Sequence, residues 1–162
     1  MTYTLDVWYY RDDDTDGAKT PASVTSRSEL EELLEYMLAH RQPHPPQVVA
    51  RERPRVGPRQ KPDTLIKVDV AFPERMGALM FLSPKSWEPP AADGTPQGIY
   101  VTRNESPSSN APTLFIDKDV RAEFPPNAAL PVDRILAALE EFRQTGELPT
   151  CVTWQDHTSE FY

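Results

Sequence analysis

Apolar positions recur along this chain with two periods, and the switches between them mark the expected elements. Near the start, TYTLDVWYY alternates, with Tyr3, Leu5, Val7 and Tyr9 on one side, as in a half-buried strand. RDDDTDGAKTP breaks it with turn formers and four aspartates. In SRSELEELLEYMLAH the period becomes helical, and Leu30, Leu33, Leu34, Met37 and Leu38 form one stripe. Ser26 with Glu29, or Ser28 with Glu31, offers a capping box at its start. PVDRILAALEEFRQTG carries a second stripe: Val132, Ile135, Leu136, Leu139 and Phe142. Pro131 suits the first helical position and Gly146 a left-handed stop.

Between the helices the period returns to two. DTLIKVDVAF alternates, whereas GALMFLS is a continuous apolar run, as expected of a central strand covered on both faces. PERM joins the two as a hairpin. GIYVTR and TLFID predict two more short strands. TCVTWQ predicts a last one, with Val152 and Trp154 on one face and Cys151 on the other. If Trp154 is fully buried, its truncation to alanine should cost about 3–5 kcal/mol. The order predicts an α+β fold: a mostly antiparallel sheet of about five to seven strands with two main helices, in a single domain spanning residues 1–162.

Residues 41–62, RQPHPPQVVARERPRVGPRQKP, differ in kind. Six arginines and lysines stand against one glutamate, and six prolines interrupt the run. Within this basic, proline-rich loop only QVVARER reads as a strand. The segment carries +5, so the rest of a chain of net charge −8 carries −13. An acidic surface repels nucleic acid and anionic membranes and attracts basic partners. The arginines of 51–61 are not interleaved with aromatics, so a polar loop is the better reading than a nucleic-acid site. One cysteine, no apolar run of membrane-spanning length and no signal-peptide start point to the cytoplasm.

Candidate chemistry is sparse. His40 and His44 have a helical metal-binding spacing, but Pro43 lies between them and no further ligands complete a site. Cys151 with His157 lacks an oxyanion turn, which favours an inert thiol. Phosphate-binding glycine loops, the serine-hydrolase elbow and the zinc-deaminase signature are all missing from the sequence. The expectation is therefore no catalytic residue, no metal and no cofactor. The strongest partner-binding candidates are the acidic cluster Asp12, Asp13, Asp14 and Asp16, together with Trp87 and Glu88 in the proline-flanked SWEPP loop.

The stretch EFPPNAALPVDRILAALEEFRQTGELPTCVTWQ resembles the end of the Imm-one (Imm1) family, immunity proteins of bacterial polymorphic toxin systems. The resemblance rests on Phe124-Pro125, Leu130-Pro131, the helix ending in Phe142, Thr145-Gly146, Pro149, and Val152 with Trp154. It is specific over roughly the last forty residues and looser upstream. Leu148 stands where family members often have a basic residue. The resemblance implies a toxin inhibitor without catalysis. Its partner would be a cognate secreted toxin, often a nucleic-acid deaminase with a basic groove; the antitoxin would bind neither nucleic acid nor membrane. The rival expectations are an acidic regulatory module unrelated to toxins, and an unfamiliar enzyme using Cys151 or a histidine.

Overall fold

The structure is a computed structural model that describes residues 2–11, 18–88 and 98–156. In chain order the elements are β1 (Leu5–Trp8), β2 (Ala22–Val24), α1 (Arg27–Ala39), β3 (Gln47–Ala50), β4 (Arg55–Val56), β5 (Lys61–Pro62), β6 (Leu65–Ala71), β7 (Met76–Leu82), β8 (Ile99–Arg103), β9 (Phe115–Asp117), β10 (Ala122–Glu123), β11 (Leu130–Pro131), α2 (Val132–Thr145) and β12 (Thr153–Asp156). The main sheet runs β12-β8-β7-β6-β3-β1-β2, and β11 joins it beside β7. Every described pairing is antiparallel. The chain is thus α+β, with a large antiparallel sheet and two helices.

Both helices pack on one face of this sheet, α1 over β6 and α2 over β7. The two apolar stripes meet the inward row of the strands, including Leu5, Val7, Val48, Ile66, Leu79 and Phe81, in one core. The start of α1 is held by reciprocal bonds. The Ser26 hydroxyl accepts from the Glu29 N–H at 3.2 Å, while the Glu29 carboxylate accepts from the Thr25 N–H and hydroxyl at 3.1 and 2.8 Å. The box therefore reaches one residue further back than the usual pattern. Gly77 of β7 lets α2 sit close: a Cβ there would come within 2.9 Å of the Asp69 carbonyl oxygen and 3.3 Å of Ile135 Cγ1.

The start of α2 departs from expectation. Pro131 is not the first helical residue; it lies one step outside in an extended conformation, φ −55° and ψ 146°. The reason is that Leu130 and Pro131 are committed to β11, opposite Gly77 and Met76 of β7. No side chain caps the helix. The Val132 N–H is satisfied instead by the Arg75 carbonyl, at 3.1 Å, in the turn between β6 and β7.

The other face of the sheet is covered only in part. Leu114, Ile116, Phe124, Ala128 and Ala129, from the segment after β8, pack over Ala78, Met80, Ile99 and Val101 as a second core. β7 is therefore buried on both faces along Gly77–Phe81, as its continuous apolar run predicts. Buried Asp69 fastens this cover, accepting the Phe115 N–H at 2.7 Å.

Candidate partner-binding surface

Among the described residues, no segment packs over the remaining half of that second face, and strand register decides which side chains line it. Trp8 is opposite Gln47, Gln47 opposite Lys67, and Leu65 opposite Leu82, so these five share one face with Val49. Above them lie two cavities, of about 350 and 630 Å³, and Trp8 and Gln47 line both. The two spaces adjoin at Trp8 and Gln47, and together they are called the groove. Its smaller end is bordered by Tyr10, Ala18, His44, Asp117 and Asp119. Its larger end is bordered by Arg55 and Lys61, on the small ladder of β4 and β5, and by Arg59 in the turn between them.

The basic stretch 41–62 therefore splits into residues with different duties. Gln47–Ala50 is a strand inside the sheet. Arg51 reaches Asp6 at 2.7 Å and Arg53 is drawn inward. Arg53 Nε and Nη2 donate to the two Asp63 oxygens at 2.9 Å each, and Nη1 donates to Glu147 at 2.9 Å and to the Gly146 carbonyl at 3.2 Å. The Asp63 bonds, with the charges of Asp63 and Glu147, push the Arg53 pKa upward. Arg55, Arg59 and Lys61 remain exposed as the wall of the groove.

Asp12, Asp13, Asp14 and Asp16 lie outside the described residues. Their described flanks, Tyr10 and Ala18, both line the small end of the groove. Trp87 closes the 3-10 turn Pro84–Trp87 that follows β7, and exposed Glu88 caps it, its N–H donating to the Lys85 carbonyl at 3.1 Å. That segment follows Leu82, at the large end. Trp8, Gln47, Leu65 and Leu82 are not among the sequence candidates, and the three cations of the wall belong to the basic stretch that the sequence reads as a polar loop. For Trp8 and Leu65 the sequence signal is the alternation of TYTLDVW and DTLIKVD, which gives each strand two faces without saying which strands are neighbours.

No described group looks poised for catalysis. Cys151 is exposed, but local burial and then the Glu141 carboxylate push its thiol up, the reverse of what activates a nucleophile. Glu141 is occupied as an acceptor, taking the Cys151 N–H at 3.0 Å and the Thr150 hydroxyl at 3.1 Å. His157 lies outside the described residues. His40 stacks on Tyr36 with ring centroids 4.1 Å apart, and His44 Nε2 lies 3.8 Å from Asp119. Among the described residues, no group of three or more His, Cys, Asp or Glu side chains could hold a metal, and no helix is long and apolar enough to cross a membrane. Burial raises the pKa of Asp69, but its carboxylate is committed to the Phe115 backbone.

No curated protein matches the chain. The family described as immunity protein Imm1 matches residues 18–156, which takes in both helices, β2–β12 and the residues lining the groove other than Trp8 and Tyr10. With that match covering most of its length, the chain belongs to the Imm1 family of immunity proteins.

Proposed function

We propose that this protein neutralises a cognate toxin of the nucleic-acid deaminase class by covering the toxin's basic substrate groove, stoichiometrically and without catalysis of its own, in the cytoplasm of the producing cell. The observation that carries the reading is family membership joined to a net charge of −8. A toxin that acts on DNA or RNA needs cations around its active site to hold the phosphate backbone. An acidic protein competes for that surface, and opposite fields raise the association rate to about 10⁸ M⁻¹s⁻¹ at low salt. Neutralisation at nanomolar affinity requires about 12 kcal/mol, so buried anchors must add to charge. The proposed contacts are Asp12, Asp13, Asp14 and Asp16 with Trp87 and Glu88.

The test is titration of the toxin domain encoded beside this gene with wild type and with a variant carrying asparagine at all four aspartates. Affinity and the deamination of a single-stranded substrate are read at several salt concentrations. Weaker binding with a flatter salt dependence is expected. Unchanged affinity and salt slope would remove the acidic cluster from the interface. A toxin that is neutralised yet deaminates nothing would remove the deaminase assignment.

A further inference from the structure

The open groove has a charge order of its own. Arg55, Arg59 and Lys61 stand at its large end, whereas at its small end Asp117 and Asp119 stand with a single lysine, Lys67, and with His44. Between them lies an apolar floor of Trp8, Leu65 and Leu82, each only half-buried, on a sheet face that no described segment covers. Both compartments fall in the size range of sites that enclose ligand groups, roughly 300–1,000 Å³. The cationic wall also runs against the acidic balance of the molecule as a whole.

We infer that this groove receives an extended segment of the toxin that carries a carboxylate toward the Arg55–Arg59–Lys61 wall, an apolar side chain over Trp8, and a cation toward Asp117 and Asp119. The inference rests on the toxin-neutralising reading and adds to it a second contact of opposite polarity. It explains why an acidic protein keeps three exposed cations together beside bare apolar surface. Screening decides between a protein segment and a nucleic acid. Fields fade over about 8 Å at physiological salt, so a short segment seated in the groove senses chiefly the local cations. A polynucleotide would run on over the acidic remainder and be repelled. The floor also favours a protein side chain, since of its three residues Trp8 alone carries a ring and successive bases could not stack along it.

The test uses two variants at exposed positions: the charge reversal Arg55→Glu, Arg59→Glu, Lys61→Glu, and the charge-neutral wedge Gln47→Trp, which fills the point common to both cavities. Thermal melts establish folding, and either variant suffices if the other melts early. Binding of the toxin domain from the adjoining reading frame is measured by calorimetry, alongside a labelled twenty-base oligothymidine. Each folded variant should lose about 100-fold in toxin affinity, the scale of one strong interface anchor. Wild type that forms no complex with the toxin domain removes the toxin reading and this inference together. A complex whose affinity neither variant changes removes the groove alone. Micromolar or tighter oligothymidine binding, abolished by the charge reversal, makes the groove a nucleic-acid site instead. A wild-type dimer broken by Gln47→Trp makes its occupant a second copy of this chain.

Discussion

Gly146 sits where α2 ends, and replacing it with alanine tests the joint between the two ends of the fold. The residue is left-handed, φ 68° and ψ 7°, and its N–H donates to the Phe142 carbonyl at 2.7 Å. A side chain in that conformation costs about 1–2 kcal/mol. An added Cβ would also meet the Tyr3 ring, 2.6 Å from Cε2 and Cζ and 3.1 Å from Cδ2. The backbone on both sides is held. The Tyr3 N–H donates to the Arg143 carbonyl at 2.7 Å, and Arg53 grips the Gly146 carbonyl. Relief must therefore come from the ring or from the helix end, at the cost of overpacking, about 1–3 kcal/mol. Gly146→Ala should lose about 2–5 kcal/mol in all. Urea unfolding followed by tryptophan fluorescence supplies the measurement, repeated in a Tyr3→Ala background. With the ring gone, the same substitution should cost only the conformational part, and the difference is the coupling between the two sites. Equal losses in both backgrounds would show that the ring swings aside freely. A loss below about 0.5 kcal/mol in wild type would refute the left-handed stop itself.

Three further outcomes follow from the same geometry. Trp154 is half-buried; its ring meets Phe81 edge-on at 6.0 Å and its Nε1 donates to the Pro149 carbonyl at 2.8 Å. Trp154→Ala should accordingly cost about 2 kcal/mol in chemical denaturation, below the range for a fully buried ring. Arg53→Ala strands the buried Asp63 carboxylate and should lose about 3 kcal/mol, much of it recovered by adding Asp63→Asn; an additive double variant would contradict the pairing. Asp69 has its pKa raised by burial from an ordinary 3.8, so the folded state holds that proton more tightly than the unfolded state. Its contribution to stability then falls as pH rises from about 4 through the raised value, and Asp69→Asn should flatten melting temperature against pH in that window while raising it at pH 7. A steeper profile would overturn that sign.

What could be read from the sequence follows from how far each interaction reaches. The α1 stripe, the α2 stripe and Gly146 are legible because a helix satisfies its own backbone and its period is written within a few turns. β7 is legible because a strand buried on both faces has no polar alternation to confuse. Pro131 was misplaced because the residue rule for helix starts is local, whereas its conformation is set by pairing with Met76, far away in the chain. Gln47–Ala50 was legible only as a possible strand; its position inside the sheet depends on partners in β1 and β6. The second core is legible only in part: TLFID carries Leu114 and Ile116 at alternating positions, but Phe124, Ala128 and Ala129 come from a proline-broken connector with no period. The groove was hidden for the strongest reason. It exists only when Trp8, Gln47, Leu65 and Leu82, from four strands, are brought into register.

The bond between Tyr3 and Arg143 also sets an order in time. The first strand can lean on the end of α2 only after the ribosome has made nearly everything between them. At ordinary rates of elongation that delay is on the order of 10 s. Until then β1 has its sheet neighbours but not the helix end that clamps it, and Leu5 and Val7 lack the cover that α2 gives the core. Contacts this distant in sequence also slow folding once synthesis is done. A cell that relies on such an inhibitor is protected by molecules finished before the toxin arrives rather than by those begun in response. Protection is therefore a matter of the pool kept in reserve.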